Sequence, residues 1–328
     1  RWSWLLLLIV GFSTGCRKDS PSPEVEPLLS RVSSPEFENG LLFVNTPDYQ
    51  IQTTEAATFS TLDPRIQVTA GGLIQRVTSG AVVAIDVNWS SSGTTSRIYA
   101  LGATDDQHDE PYATYHGRLA TDPVSSYRKG WQTLQKLPRT DSSFAIVLRH
   151  ADANVGRDDA DGPANWWKSC DEGAARQLND TGRQHSAELG LIFKELGYPI
   201  GRVISSEFCR AKTTAELINA GPLIVTDPRI NHPEHNKSGK SLFRNMLEVM
   251  QEQPVDTALT LMVTHHPINE TRSLSYPTFP EVSPFPWTGA YFVKIDPDKT
   301  ITYHGAVSFD MFKYWRDIKM NRLGTPGL

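Results

Sequence analysis

Phe144-Ala145-Ile146-Val147-Leu148 is an uninterrupted apolar run that stops at Arg149-His150-Ala151. Five apolar residues without polar alternation suit a strand covered on both faces, as inside a layered α/β sheet. Onward from it, strands and helices take turns. Asn179-Asp180-Thr181-Gly182 caps a helix whose buried side is marked by Ala187, Ile192 and Leu196, and Gly197 with Pro199 ends it. Arg202-Val203-Ile204-Ser205-Ser206 is predicted as the next strand and Ala211 to Asn219 as a second helix. Ser241 to Gln253 follows as a helical segment and Leu259 to Thr264 as another strand. This order is that of an α/β layered sheet, in which loops leaving the C-terminal strand ends build the ligand site. Here those ends carry Arg149-His150-Ala151, then Ser205-Ser206-Glu207-Phe208-Cys209-Arg210-Ala211, then His265-His266-Pro267. Two arginines and at least two histidines therefore converge on one sheet edge. Arginine presents a charged planar fork suited to phosphate oxygens, and a neutral imidazole among cations is a nucleophile.

The 328 residues predict about two domains at ~150 residues each. With 39% hydrophobic and 21% charged residues, the chain has enough apolar side chains for real cores, which excludes collagen-like, coiled-coil and wholly disordered readings. A net charge of -5 leaves no global basic footprint, so no nucleic-acid partner is expected.

Upstream, residues 31–139 read as a small β-rich accessory domain. Leu41-Leu42-Phe43-Val44, Leu73 to Val77, Val83 to Trp89 and Arg97 to Leu101 are separated by Gly, Ser, Asn and Asp clusters. Asp105-Asp106-Gln107-His108-Asp109-Glu110 is read as a solvated loop. Residues 1–15 place an apolar run, Leu5 to Phe12, behind Arg1, too short for the ~20 residues of a spanning helix. Ser13-Thr14-Gly15-Cys16 then resembles a bacterial lipoprotein signal, which implies lipidation of Cys16 after cleavage. Residues 16–30, with Pro21, Pro23 and Pro27, read as a tether. The expected location is the bacterial cell envelope, with the chain lipid-anchored to a membrane on the periplasmic or outer surface.

Four elements in order carry a family resemblance. Leu148-Arg149-His150-Ala151 resembles the signature of the histidine phosphatase superfamily, and Leu178-Asn179-Asp180-Thr181-Gly182-Arg183 its element before the first long helix. Ser205-Ser206 through Arg210-Ala211 and Thr213-Thr214-Ala215 resembles its second arginine motif. Val263-Thr264-His265-His266-Pro267 resembles the segment of the second histidine, with Thr264 where a glycine is usual. The resemblance implies a phosphoglycerate-mutase-like three-layer α/β/α sandwich over residues 140–328. It also implies a phosphomonoester hydrolase without a cofactor, acting on a small phosphorylated substrate. His150 would be the nucleophile, with Arg149, Arg210 and His265 on the phosphoryl group. Glu234 is the first candidate for the general acid and Asp152 the second.

Several residues around these motifs invite further readings. His232-Pro233-Glu234-His235 with His265 and His266 raises a zinc site, but Pro233 breaks an i to i+4 display and no metal is expected. The alternatives to the phosphatase are a metal-dependent hydrolase and an inert module binding phosphorylated envelope material. Trp166 and Trp167 suit stacking on an organic leaving group or sealing of their loop, and Lys168 suits a second anionic group. With Cys16 assigned to lipid, Cys170 and Cys209 are left to form a disulfide beside the phosphate pocket or to remain two buried thiols. His185 and His304 are given ordinary structural roles.

Overall fold

The computed structural model describes residues 31–45, 48–103, 123–139, 142–159, 161–232, 235, 242–265 and 285–323. The readings made on Cys16 and the tether, on Asp105 to Glu110, on Glu234 and on His266 lie outside the described residues. The first half of the chain forms β1 (Phe37–Glu38), β2 (Leu41–Val44), β3 (Tyr49–Gln50), β4 (Ala57–Ser60), β5 (Ile66–Val68), β6 (Leu73–Val77), β7 (Val82–Trp89) and β8 (Thr95–Gly102). They build a five-stranded sheet in the order β1-β2-β8-β7-β4 and a three-stranded sheet in the order β3-β6-β5. In β7 the alternation of Val83, Ile85, Val87 and Trp89 sends one face into a core shared with Ile74 and Ile98, as period-2 geometry requires.

The stretch expected to be β-rich also holds helix α1 (Pro123–Leu134). Tyr127, Trp131 and Leu134 recur at intervals of four and three, a helical spacing, and all are buried. Gly130 lets α1 sit directly on the strand Ile301–Val307 of a six-stranded sheet built by the second half of the chain: a Cβ there would lie 1.7 Å from the Ala306 carbonyl oxygen. Trp131 stacks on Tyr314, which also meets Tyr99 of β8 at 4.5 Å and donates its hydroxyl to the Gly40 carbonyl. Leu41, Phe43 and Leu101 thus belong to the same core as Phe144 and Phe312, so the β-rich part and the α/β part share buried surface.

The second half builds β9 (Ser143–Arg149), α2 (Asp180–Glu195), β10 (Ile200–Ser205), α3 (Cys209–Ile218), β11 (Ile224–Thr226), α4 (Leu242–Glu252), β12 (Leu259–Thr264), β13 (Ala290–Ile295), β14 (Ile301–Val307) and α5 (Phe309–Lys319). Six strands form one sheet in the order β11-β10-β12-β9-β13-β14, with β11 to β9 mutually parallel and β13 and β14 antiparallel. The apolar run of β9 is covered on both faces. Phe144, Ile146 and Leu148 join the core of α2, α3 and α5, whereas Ala145 and Val147 join that of α4. The result is a three-layer α/β/α sandwich, preceded by a β-rich region.

The helix caps follow local chemistry. Asn179 accepts the Gly182 amide at 2.7 Å and opens α2, and Ser308 accepts the Met311 amide and opens α5.

Candidate active site

Strand register brings the chemistry together. In the parallel ladders Arg149 stands opposite Thr264, and Ser205 opposite Val263. The residues just past the strands are therefore level. The His150 amide donates to the Thr264 carbonyl at 2.9 Å, and the Ser206 amide to the Val263 carbonyl at 3.0 Å. Because the chain passes from β9 to β10, runs out to β11 and returns to place β12 between them, these ends flank the point where strand order reverses, where α/β sheets leave a crevice.

His150 is buried, with its Nδ1 2.8 Å from the Ala151 carbonyl oxygen. A carbonyl only accepts, so Nδ1 carries the proton and the lone pair sits on Nε2. The Thr214 hydroxyl accepts the Ala151 amide and donates to the Arg210 carbonyl, tying the loop after β9 to the first turn of α3.

The His265 ring lies 5.1 Å from that of His150, and its Nε2 is 2.8 Å from Ser206 Oγ. Ser206 Oγ also accepts the Phe208 amide at 3.2 Å, and with its own proton given to Nε2 the His265 proton stands on Nδ1. That Nδ1 is buried and has no partner among the described residues. With the proton there, such a buried nitrogen beside His150 is suited to a ligand oxygen.

Arg210 is 3% exposed; one guanidinium nitrogen donates to Asp158 Oδ1 at 3.1 Å, and its Nε has no partner among the described residues. Burial lowers the Arg210 pKa to about 10 against the opposing pull of Asp158, so it stays charged at neutral pH. Arg149 donates to the Phe285 carbonyl at 2.9 Å and sits 5.2 Å from the Trp287 ring. A third guanidinium, unforeseen in the sequence, joins them: Arg176 binds Asp158 Oδ2 at 2.9 Å through Nε. Burial alone would raise the Asp158 pKa, but Arg210 and Arg176 outweigh it and hold it below the usual carboxylate value.

Both site histidines are pushed well below the ordinary imidazole value, first by burial and then by Arg210, with Arg149 adding to the effect on each. The unfolded chain titrates these rings near ~6.5. As pH falls below that value, the unfolded state takes up protons that the folded state does not, so these rings cost stability from there downward. The expected result is a melting temperature that falls from about pH 7 to about pH 5, while histidine NMR signals show two rings with no step near ~6.5. Titration at the ordinary value by the rings assigned to His150 and His265 would contradict the burial of the pair.

The tryptophans form a wall rather than open platforms. Trp166 and Trp167 are both buried and pack with Phe208 and His235, Trp167 stacking on His235 at 4.5 Å; Phe208 in turn meets the His265 ring at 4.6 Å. Lys168 is engaged by Glu207 at 2.7 Å. Glu207 also accepts from Asn231; these two contacts overcome the upward push of burial and keep its pKa low. Asp152 Oδ1 is buried without a partner among the described residues. The His232 ring lies 6.0 Å from that of His265. Among the described residues, no three His, Cys, Asp or Glu side chains come close enough to hold one metal ion. His185 stacks on Phe309, and His304 packs edge-on against Phe144.

Cys170 and Cys209 are joined in a disulfide that fastens the tryptophan loop to the start of α3, next to Arg210. The bond closes a loop of 39 residues, for which chain entropy gives about 4 kcal/mol. Replacing both cysteines by serine is expected to lower the unfolding free energy by about 3–4 kcal/mol in denaturant titration. A loss below about 1 kcal/mol would mean that the loop is held by its aromatic contacts alone.

A cavity of about 300 Å³ lies elsewhere, along β10, β11 and α4, lined by Val203, Val225, Arg229 and Val249 among others. Its arginines are already paired, Arg202 with Asp256 and Arg229 with Asp227 and Glu252, and neither site histidine lines it.

No family model and no curated protein matches the chain. Solved structures do. The protein histidine phosphatase SixA complexed with tungstate is 20% identical, with a TM-score of 0.35, covering 51% of this chain and 97% of that one. Phosphoserine phosphatase from Entamoeba histolytica, in complex with 3-phosphoglyceric acid, is 14% identical with a TM-score of 0.33, covering 52% and 99%. Phosphoglycerate mutase from Plasmodium falciparum is 13% identical with a TM-score of 0.30, covering 49% and 88%.

Proposed function

We propose that this chain is a phosphomonoester hydrolase of the histidine phosphatase type, working through a phosphohistidine. One observation carries the reading. A buried neutral imidazole, His150, has its Nδ1 proton on a carbonyl and its Nε2 lone pair left for attack, beside three guanidinium groups and a buried His265 Nδ1 that has no partner among the described residues. Nε2 attacks phosphorus, the bond to the ester oxygen breaks, and Arg149, Arg210 and His265 take the phosphoryl oxygens as charge builds on them. Water then attacks phosphorus and the electron pair of the N–P bond returns to His150.

The substrate is a small phosphorylated molecule met outside the cytoplasm, with the chain tethered to the membrane through lipid on Cys16. The Cys170–Cys209 disulfide supports an oxidising compartment. Trp166 and Trp167 seal their loop against Phe208 and His235 and Lys168 is paired with Glu207, so the two rings offer no open platform to the organic part of the substrate.

The test is an acid-free quench of the full chain during turnover of an aryl phosphate. Label on protein that survives alkali and is lost in acid, as a P–N bond is, supports the reading. Phosphate release without any such label overturns it.

A further inference from the structure

We propose that Trp287 is the platform on which an aromatic ring of the substrate stacks, so that the phosphomonoester this site prefers is an aryl or arylmethyl ester. The assignment deepens the phosphatase reading above and rests on it. Trp287 lies in the turn Pro286-Trp287-Thr288-Gly289, directly before β13. The turn is fastened to the end of β9 that carries the site. Its closing bond runs from the Gly289 amide to the Pro286 carbonyl at 2.9 Å. The Arg149 amide donates to the Gly289 carbonyl at 2.9 Å, and the Thr288 amide to the His150 carbonyl at 3.4 Å. Just before the turn, the Phe285 carbonyl accepts the Arg149 guanidinium at 2.9 Å.

The conformation is a constrained one. Thr288 is fully buried at a φ of 59°, in the left-handed region where a β-branched residue is held only by its surroundings. Phe285, Thr288, Gly289 and Ala290 are all buried, whereas Trp287 is 39% exposed. Among the exposed large apolar side chains of the described residues, Trp287 is the one aromatic; the others, such as Leu62, Leu191 and Leu223, carry no ring. A rigid turn that keeps a tryptophan in water forgoes the gain of burying it, and a ligand ring laid on the indole supplies that gain.

The neighbour of the indole fixes where on the substrate that ring sits. The Arg149 guanidinium carbon is 5.2 Å from the centre of the Trp287 ring. Arg149 also takes phosphoryl oxygens in the phosphatase reading, so the part of the substrate that reaches the indole is the part esterified to phosphorus. The cation holds the indole beside it. The exposed part of the ring is left for an offset or edge-on partner, at about 4.5–7 Å between centroids. The other large rings described around the site are closed off: Trp166, Trp167 and Phe208 are all buried.

A stacking platform and a support for Arg149 differ in what they discriminate. The full chain and its Trp287→Ala and Trp287→Phe variants are assayed with benzyl phosphate and cyclohexylmethyl phosphate. Both are esters of primary alcohols of similar size, and only the first carries an aromatic ring. Expected in wild type is a kcat/KM ratio of about 5 or more in favour of the benzyl ester, falling to about 1–2 in Trp287→Ala and largely kept in Trp287→Phe. A variant that is partly unfolded, or in which Arg149 has shifted, loses on both esters and keeps the wild-type ratio. No preference in wild type, or a ratio unchanged in Trp287→Ala, would overturn the proposal. Phenylphosphonate and cyclohexylphosphonate, which have no ester bond to hydrolyse, give a second reading by titration calorimetry; the same preference is expected in wild type, and its loss in Trp287→Ala. Equal hydrolysis of both esters with equal binding of both phosphonates overturns the aromatic site and leaves the phosphatase reading in place. Release of phosphate from neither ester, with phenylphosphonate still preferred, overturns the phosphatase reading and keeps the aromatic site.

Discussion

His150→Ala is expected to lower phosphate release at least about 10⁴-fold and to abolish the trapped phosphoenzyme, because it removes the atom that forms the covalent bond. No other group in the site can take its place. The His265 Nε2 is engaged by Ser206 Oγ, and the rings of the two histidines stand 5.1 Å apart at a steep angle. The fold should survive the change, since the cores on both sides of β9 are built from Phe144 to Leu148 and do not include the imidazole. A circular dichroism melt run beside the phosphate assay separates the two effects. Activity within about tenfold of wild type, in a folded variant, would remove the phosphohistidine mechanism.

Arg210→Met is expected to lower kcat by about 10²–10³, the usual loss when one preorganised donor to transition-state charge is removed. Methionine keeps much of the apolar stem that packs over Phe208, where the guanidinium carbon now lies 4.4 Å from the ring centroid. Asp158 keeps Arg176 as its partner, so no buried carboxylate is left bare. The loss should therefore fall on phosphoryl binding and turnover of every ester alike. Steady-state kinetics on an alkyl phosphate and on 2,4-dinitrophenyl phosphate measure this. A variant that discriminates between good and poor leaving groups would show that Arg210 acts on the leaving group and not on the phosphoryl oxygens.

Positive charge around His150 comes from Arg210, Arg149 and Arg176. In such a pocket the net charge of -5 for the whole chain says nothing about the field at His150.

Much of this was determined by the sequence alone. The run Phe144 to Leu148 dictated a strand buried on both faces, since five apolar residues cannot alternate toward water. The order of strands and helices placed Arg149-His150, Ser206 to Arg210 and His265 at the same kind of strand end, and parallel pairing then brought them to one edge. These readings succeed because periodicity and strand-end position are local properties of the chain.

Other features were decided only by the tertiary structure. Asp158 and Arg176 are 18 residues apart in loops whose path no periodicity records, and they meet Arg210 through contacts that span up to 52 positions. The sealing of Trp166 and Trp167 against Phe208 and His235, in place of an open face, depends on the same loop packing. Helix α1 lies in a stretch whose strand-like runs predict only β structure. Its Tyr127, Trp131 and Leu134 stripe is apolar for a sheet that comes later in the chain, and Gly130 permits a close approach to Ala306 that no local pattern announces. Local patterns fix which way a segment points, whereas the partners that neutralise a charge or cover a ring are chosen by long-range packing.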